Sequence, residues 1–304
     1  MRPAVWGVVL SQLPSYVSPI QADSAFALDI CTFVQYIRHM AHAHLEIEET
    51  AARSVLMPQD GPPVTRYTLN PYVGCGMGCA YCYVMKYHYA VEHPMPWGAW
   101  VQPKTNAPFL LGKARDKIWG RRIFVGSATD PYQYVERQYR LTRRCLGVLQ
   151  DSNPKDVVVH TRSHLVLDDV ELLRFFKSPL RVCFSLPTDD DRVRRKLEPH
   201  APRIDVRLKT MRRLRAAGVH VTAAVAPLLH CEPARFARLL KEAADDVYTG
   251  SMRYTRKTGL RTTDRARAYF ESARYKNLVA EMDRCLDAAG VNTNRDDERD
   301  FASR

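Results

Sequence analysis

The sequence predicts an α/β fold in which six parallel strands alternate with helices and curl into a partial (β/α)6 barrel, helices outside, with a C-terminal helical extension. Three observations predict it. Short apolar runs recur between stretches of helical period, the order expected of a parallel sheet. Some of these runs, such as Asp156 to Thr161, are almost continuously apolar, as strands covered on both faces are. Polar and metal-binding residue types gather just after the runs, where barrels of this kind place their chemistry.

In order, Thr65 to Tyr72 reads as the first strand, leading into a cysteine-rich loop, and Ala80 to Val91 as the helix that follows. Arg122 to Gly126 is the second strand, Val135 to Gln150 a helix, and Asp156 to Thr161 the third strand. Leu167 to Phe176 is helical, with Asp168 and Asp169 suited to the positive end of a helix dipole. Leu180 to Leu186 is the fourth strand, and Ile204 to Ala217 a strongly basic helix closed by Gly218. Val219 to Ala226 is the fifth strand, stopped by Pro227. Pro233 to Ala244 is a helix with proline near its start, and Val247 to Arg253 the sixth strand.

The core is expected over 45–254. Residues 1–44 form a leader of different character, in which Ala25 to His44 reads as a helix with Phe26, Ile30, Phe33, Ile37 and Met40 on one face. Its His39, His42 and His44 read as an exposed helix end rather than a metal site. A helical extension is expected over 255–293, built on Thr263 to Ala289, and a disordered tail over 294–304.

Forty-five Lys plus Arg against 33 Asp plus Glu give a net charge of +12, which favours an anionic partner such as nucleic acid or a phosphorylated metabolite. No stretch approaches the ~20 apolar residues of a membrane-spanning helix. Eight cysteines, three of them clustered, point to a reducing compartment, so a cytoplasmic location is expected.

The clustered cysteines lie in Asn70 to Tyr83. Cys75, Cys79 and Cys82 have three and then two residues between them, a spacing at which three thiolates converge on one metal centre. Gly74, Gly76 and Gly78 let the loop take positive φ and bring backbone N–H groups close to an anionic cluster. No fourth cysteine follows at short range, so a cuboidal cluster held here keeps one iron open for chemistry. The competing reading is a zinc knuckle of the three cysteines plus His88.

The strand ends add a second set of groups. Gly126 to Gln133 is a small-residue turn whose Thr129 and Asp130 suit an ammonium group. Arg162, after the third strand, offers a planar fork for a carboxylate. Cys183 and Ser185 share one face of the fourth strand by alternation. Ala226-Pro227 is apolar and shaped to pack a purine. The aromatic stretch from Tyr83 to Trp100 suits nucleobase stacking, and equally core packing.

The cysteine spacing, with an aromatic on each side of the last cysteine, resembles the signature of the radical S-adenosylmethionine superfamily. Within it, the segment from about Leu45 to Tyr254 resembles the spore photoproduct lyase-like group, often labelled DNA repair photolyase. The residues that carry this are Asn70-Pro71-Tyr72, Thr129 to Gln133, Thr161-Arg162-Ser163, Phe184-Ser185 and Val225-Ala226-Pro227. The resemblance implies a 4Fe–4S cluster on Cys75, Cys79 and Cys82. It also implies an S-adenosylmethionine cosubstrate whose amino group meets Thr129 or Asp130 and whose remainder meets Arg162 and Ser185. It further implies a reducing electron donor of flavodoxin or ferredoxin type. One departure stands out. The lyase carries a hydrogen-donating cysteine in the turn after the second strand, where this chain has Gly126-Ser127-Ala128-Thr129-Asp130. Cys183 is the candidate substitute, with Cys231 behind it. DNA is therefore the first substrate expectation, a small metabolite the second, and a zinc-stabilised nucleic-acid-binding module the alternative outside enzymes.

Overall fold

The computed structural model describes residues 45–60, 64–252 and 264–293, with side chains from 268 onward in the last segment. The expectations for the leader helix and its histidines, and for the tail over 294–304, lie outside the described residues. Ten strands appear among those described. They are β1 (Glu46–Ile47), β2 (Leu56–Pro58), β3 (Arg66–Leu69), β4 (Tyr72–Gly74), β5 (Trp100–Pro103), β6 (Arg122–Val125), β7 (Asp156–Thr161), β8 (Leu180–Ser185), β9 (His220–Val225) and β10 (Asp246–Thr249).

The larger sheet runs β10-β9-β8-β7-β6-β3-β2. The six strands from β3 to β10 are mutually parallel, and β2 pairs antiparallel with β3. The sheet is therefore mixed, flanked by helices and open, consistent with a partial barrel. No pairing joins β10 to β2 among the described residues.

Side-chain alternation explains how this sheet makes both a core and a cavity. On β6, Ile123 and Val125 are fully buried under the outer helices, while Arg122 and Phe124 turn inward to line a cavity. On β8, Val182 and Phe184 take the outer side, and Arg181 and Ser185 the inner. The outer helices present matching stripes. In Pro233–Ala243, Phe236, Ala237, Leu240 and Ala243 are buried at helical spacing, each large side chain contributing about 1.5–3 kcal/mol. Met282 and Leu286 of the last helix, Ala273–Ala288, are buried in the same core.

Several elements depart from the sequence expectation. The first predicted strand divides. β3 stops at Leu69, and Tyr72–Gly74 joins a separate small sheet of order β1-β5-β4. Asn70 and Pro71 turn the chain between them, and the Asn70 side chain is spent on neighbouring residues of the turn after β6. The helix expected over Ala80 to Val91 is a 3-10 turn, Tyr83–Lys86, and one helical turn, His88–Val91. The Tyr83 hydroxyl donates to the Ser127 carbonyl at 2.8 Å, tying this segment across the cavity wall. The helix expected over Val135 to Gln150 breaks at Arg140, which sits at φ +49°. The Glu136 carboxylate accepts from the N–H groups of Thr142 and Arg143, both at 3.1 Å, and so caps the second piece, Leu141–Gln150.

Candidate active site around the cysteine loop

The cysteine loop leaves β4 and is pinned from several directions. Gly74 has φ +76°, and a Cβ there would lie 2.7 Å from the Trp100 carbonyl oxygen. The Thr129 hydroxyl donates to the Gly74 carbonyl at 2.6 Å, and the Gln133 side-chain carbonyl accepts from the Gly76 N–H at 2.8 Å. Further on, the Ala80 N–H donates to the Leu197 carbonyl at 2.9 Å. Gly78 and Gly98 meet backbone to backbone, so closely that a Cβ on Gly98 would stand 2.7 Å from the Gly78 Cα.

Asn70 fixes the loop to the sheet. Its side-chain amide donates to Ser127 Oγ at 3.0 Å, and its side-chain carbonyl accepts from the Ala128 N–H at 2.9 Å. The turn after β6 is further locked by Asp130. Its carboxylate accepts from Thr161 Oγ1 at 2.6 Å and from the N–H groups of Tyr132 and Arg162, both at 2.9 Å. Burial raises the Asp130 carboxyl above its ordinary range, outweighing those donors. Of the two residues expected to meet an amino group, Thr129 gives its hydroxyl hydrogen to Gly74 and accepts once, from Gln133, which leaves it one lone pair. Asp130 keeps one lone pair on Oδ2.

Cys75, Cys79 and Cys82 all line one cavity of ≈310 Å³, together with Asp130, Arg162 and Ser185. Burial raises all three thiols, that of Cys82 to about 12. Three sulfurs of this kind, those of Cys75 and Cys79 buried and that of Cys82 partly exposed, ionise when metal cations bind them, which matches the donor chemistry of an iron–sulfur cluster. The positive φ of Gly74 and Gly78 gives the loop the backbone freedom such a group demands. Among the described residues, no group of three or more His, Cys, Asp or Glu side chains is arranged to hold a metal ion. His88 lies elsewhere, its side chain 84% exposed and paired with Glu92 at 2.7 Å.

Arg162 occupies the centre of the remaining polar groups. Its Nη1 donates to Cys79 Sγ at 3.2 Å, to Tyr81 Oη at 2.7 Å and to the Glu198 carboxylate, while Nη2 is 3.4 Å from Ser185 Oγ. Burial opposes its charge, but Cys79, Tyr81 and Glu198 outweigh it and hold the guanidinium cationic. His160 Nε2 lies 2.8 Å from Ser185 Oγ, and burial next to Arg162 pushes its pKa down to about 3, so the ring is neutral. Cys183 is fully buried with Val158, Ala224 and Phe124 and does not reach the cavity lining. Cys231 is buried in the outer core. Of the aromatic stretch, Tyr83, Tyr87 and Trp97 line the cavity, whereas Trp100 is buried and stacked by His93 at 3.8 Å between centroids. Glu198 joins the site without having been singled out from sequence, whereas Tyr81, Gln133 and His160 lie in stretches the sequence reading marked. Gln133 closes a run already noted, and Glu198 carries no local signal.

Known proteins resemble this arrangement. A variant of spore photoproduct lyase with bound AdoMet and dinucleoside spore photoproduct superposes with a TM-score of 0.60 at 16% identity, over 81% of each chain, which is a likeness of fold. An uncharacterized protein of Methanocaldococcus jannaschii is 27% identical over 192 residues, 62% of this chain and 70% of its own. An uncharacterized protein of Mycobacterium tuberculosis is 29% identical over 219 residues, 69% of this chain, and the match spans 64% of that relative. A viral protein of the Acidianus two-tailed virus, also uncharacterized, is 27% identical over 256 residues. The family model for the radical SAM superfamily matches residues 69–243, from the end of β3 through the helix Pro233–Ala243. With the cysteine loop, the open parallel sheet and a family match over more than half its length, the chain belongs to the radical SAM superfamily.

Proposed function

We propose that the chain is a radical S-adenosylmethionine enzyme of lyase-like character whose substrate is nucleic acid. One observation supports it above the others: the three cysteines and the ends of β6, β7 and β8 line a single cavity. Cys75, Cys79 and Cys82 would hold a 4Fe–4S cluster. When bound, the cluster supplies the electron that cleaves S-adenosylmethionine homolytically to a 5′-deoxyadenosyl radical. The chain's own residues bind, orient and shield. Asp130, with its free lone pair, suits an amino group. Ser185 and neutral His160 offer polar contacts without adding charge, and the apolar inner wall at Val158, Ala224 and Pro227 keeps water from the reacting centre. A reducing donor of flavodoxin or ferredoxin type provides the electron.

Nucleic acid is supported by the net charge of +12 and by the fold shared with a lyase that binds a dinucleoside lesion. A small metabolite is the second reading, favoured by a specific observation. Among the described residues, the cavity lining contains no cysteine beyond the three of the loop, and Cys183, the candidate hydrogen donor, is buried against Val158, Ala224 and Phe124 of its wall. Anaerobic reconstitution tests the enzyme. About four iron per chain and release of 5′-deoxyadenosine are expected, both lost in Cys79→Ala. Wild-type protein without iron, or Cys79→Ala with unchanged iron and cleavage, refutes it. DNA binding that weakens steeply with salt supports the first substrate, and undetectable binding at low salt removes it. Among the described residues, no helix is long and apolar enough to cross a membrane.

A further inference from the structure

Beside Cys79 lies a buried charge cluster that the sequence does not announce. Glu198 is fully buried at the end of the helix Asp191–Leu197. One carboxylate oxygen accepts from Arg162 Nη1 and from the Tyr81 hydroxyl. The other is 2.7 Å from Arg207 Nη2, and Arg207 is itself fully buried. Arg207 is anchored by donating to the Pro202 carbonyl at 2.9 Å and lies 3.4 Å from the Ser185 carbonyl. The same turn grips the cysteine loop twice, since Leu197 also accepts the Ala80 N–H.

We propose that Glu198 is a positioning residue for the cysteine site. It holds Arg162 so that one guanidinium nitrogen donates to the Cys79 sulfur instead of opening outward to a ligand carboxylate. This rests on the reading of Cys79 as a cluster ligand. Two geometric facts carry it. Nη1 is the only Arg162 nitrogen that reaches Cys79, and it is the nitrogen that Glu198 holds. On its far side Glu198 forms a second, fully buried ion pair with Arg207. The fork expected to meet a cosubstrate carboxylate therefore has one tine committed inside the protein, leaving Nη2 and Nε. Arg162 and Arg207 face two carboxylates, Glu198 and Asp130, so charge alone leaves no positive excess beside the loop, and it is the Arg162 donor on the Cys79 sulfur that favours an added electron on a cluster bound there.

The experiment is a spectroelectrochemical titration of the anaerobically reconstituted protein, with iron content measured alongside. In Glu198→Gln two opposite effects compete. If Arg162 stays in place, loss of a nearby negative charge makes the cluster easier to reduce. If Arg162 swings away, Cys79 loses its donor and the cluster becomes harder to reduce. The expected result is the second, about tenfold in the reduction equilibrium, or ~59 mV for one electron. Arg162→Gln should give the same fall, and the double variant no further fall. A rise or no change in Glu198→Gln, or a fall there without one in Arg162→Gln, overturns the proposal. Should Glu198→Gln not fold, Glu198→Asp keeps the charge and withdraws the carboxylate by one methylene. A smaller fall is then expected, and an unmoved or raised potential again overturns it. Wild-type protein holding no cluster would instead refute the cofactor reading itself.

Discussion

The contact between Gly78 and Gly98 sets a quantitative test of how the cysteine loop is held. Gly98 sits at φ +99°, a conformation that costs an alanine about 1–3 kcal/mol. The new Cβ would stand 2.7 Å from the Gly78 Cα, which no side-chain rotation relieves, because the obstacle is backbone. Overpacking of that kind costs about 1–3 kcal/mol more. Gly98→Ala is thus expected to lose about 2–6 kcal/mol, or to push Gly78 away and misplace Cys79 beside it. The control is Gly112→Ala, in the helix Ala107–Lys113, where a Cβ meets nothing within 4 Å. There the helix should gain roughly 0.5–1 kcal/mol. Urea unfolding of the metal-free protein under reducing conditions measures both. For a slope of about 3 kcal/mol/M, 2 kcal/mol moves the midpoint by roughly 0.7 M. Iron uptake after reconstitution reports the alternative outcome, a displaced loop. Gly98→Ala with a midpoint within ~0.2 M of wild type and full iron uptake would refute the reasoning.

Three further outcomes follow from the same structure. Asn70→Ala removes the donor to Ser127 and the acceptor for the Ala128 N–H, so a loss of about 1–3 kcal/mol is expected in the same unfolding assay. His88→Ala should leave metal content unchanged, because this exposed side chain meets Glu92 rather than the cysteines. Loss of metal would revive the zinc knuckle. The His220–Asp246 pair, 2.9 Å apart, predicts a pH window. The hydrogen bond to Asp246 raises His220 above 6.5, so its contribution is whole below 6.5 and fades as pH rises through the folded value. Asp246 is lowered below 3.8, chiefly by His220 against the opposing effect of burial, so its share is whole above 3.8 and fades on acidification. The pair's benefit is greatest between 3.8 and 6.5, and His220→Gln should lower stability in that window and flatten the slopes on either side of it.

What the sequence made legible was what depends on local pattern. The apolar runs at β7, β8 and β9 identify themselves because a strand buried on both faces has little freedom in composition. The cysteine loop was legible because its spacing and glycines carry chemistry within a few residues. What stayed hidden depends on partners far along the chain. Glu198 follows Arg194-Arg195-Lys196-Leu197, a stretch with no motif of its own, and its partner Arg162 is 36 residues away. The break at Arg140 was invisible for a related reason. A helical period runs through 135–150, and only the turned-back Glu136 carboxylate, also bonded to the Tyr72 hydroxyl, makes the interruption favourable. Thr129 shows a constraint that local pattern does not carry. Its hydroxyl suits a ligand on paper, but the folded chain spends it on the loop backbone.

An open sheet has two margins, and each offers unpaired amide groups to any passing chain. At one margin this molecule lays down β2, three residues ending in Pro58, which has no N–H to offer a newcomer. At the other, the Asn292 carbonyl takes the Val247 N–H at 2.8 Å, and Thr293 bridges to Val247 in parallel. Both margins are thereby blunted by short, local means, and neither requires the sheet to close. The gap between them can stay wide enough for a substrate without turning the molecule into a template for its own stacking.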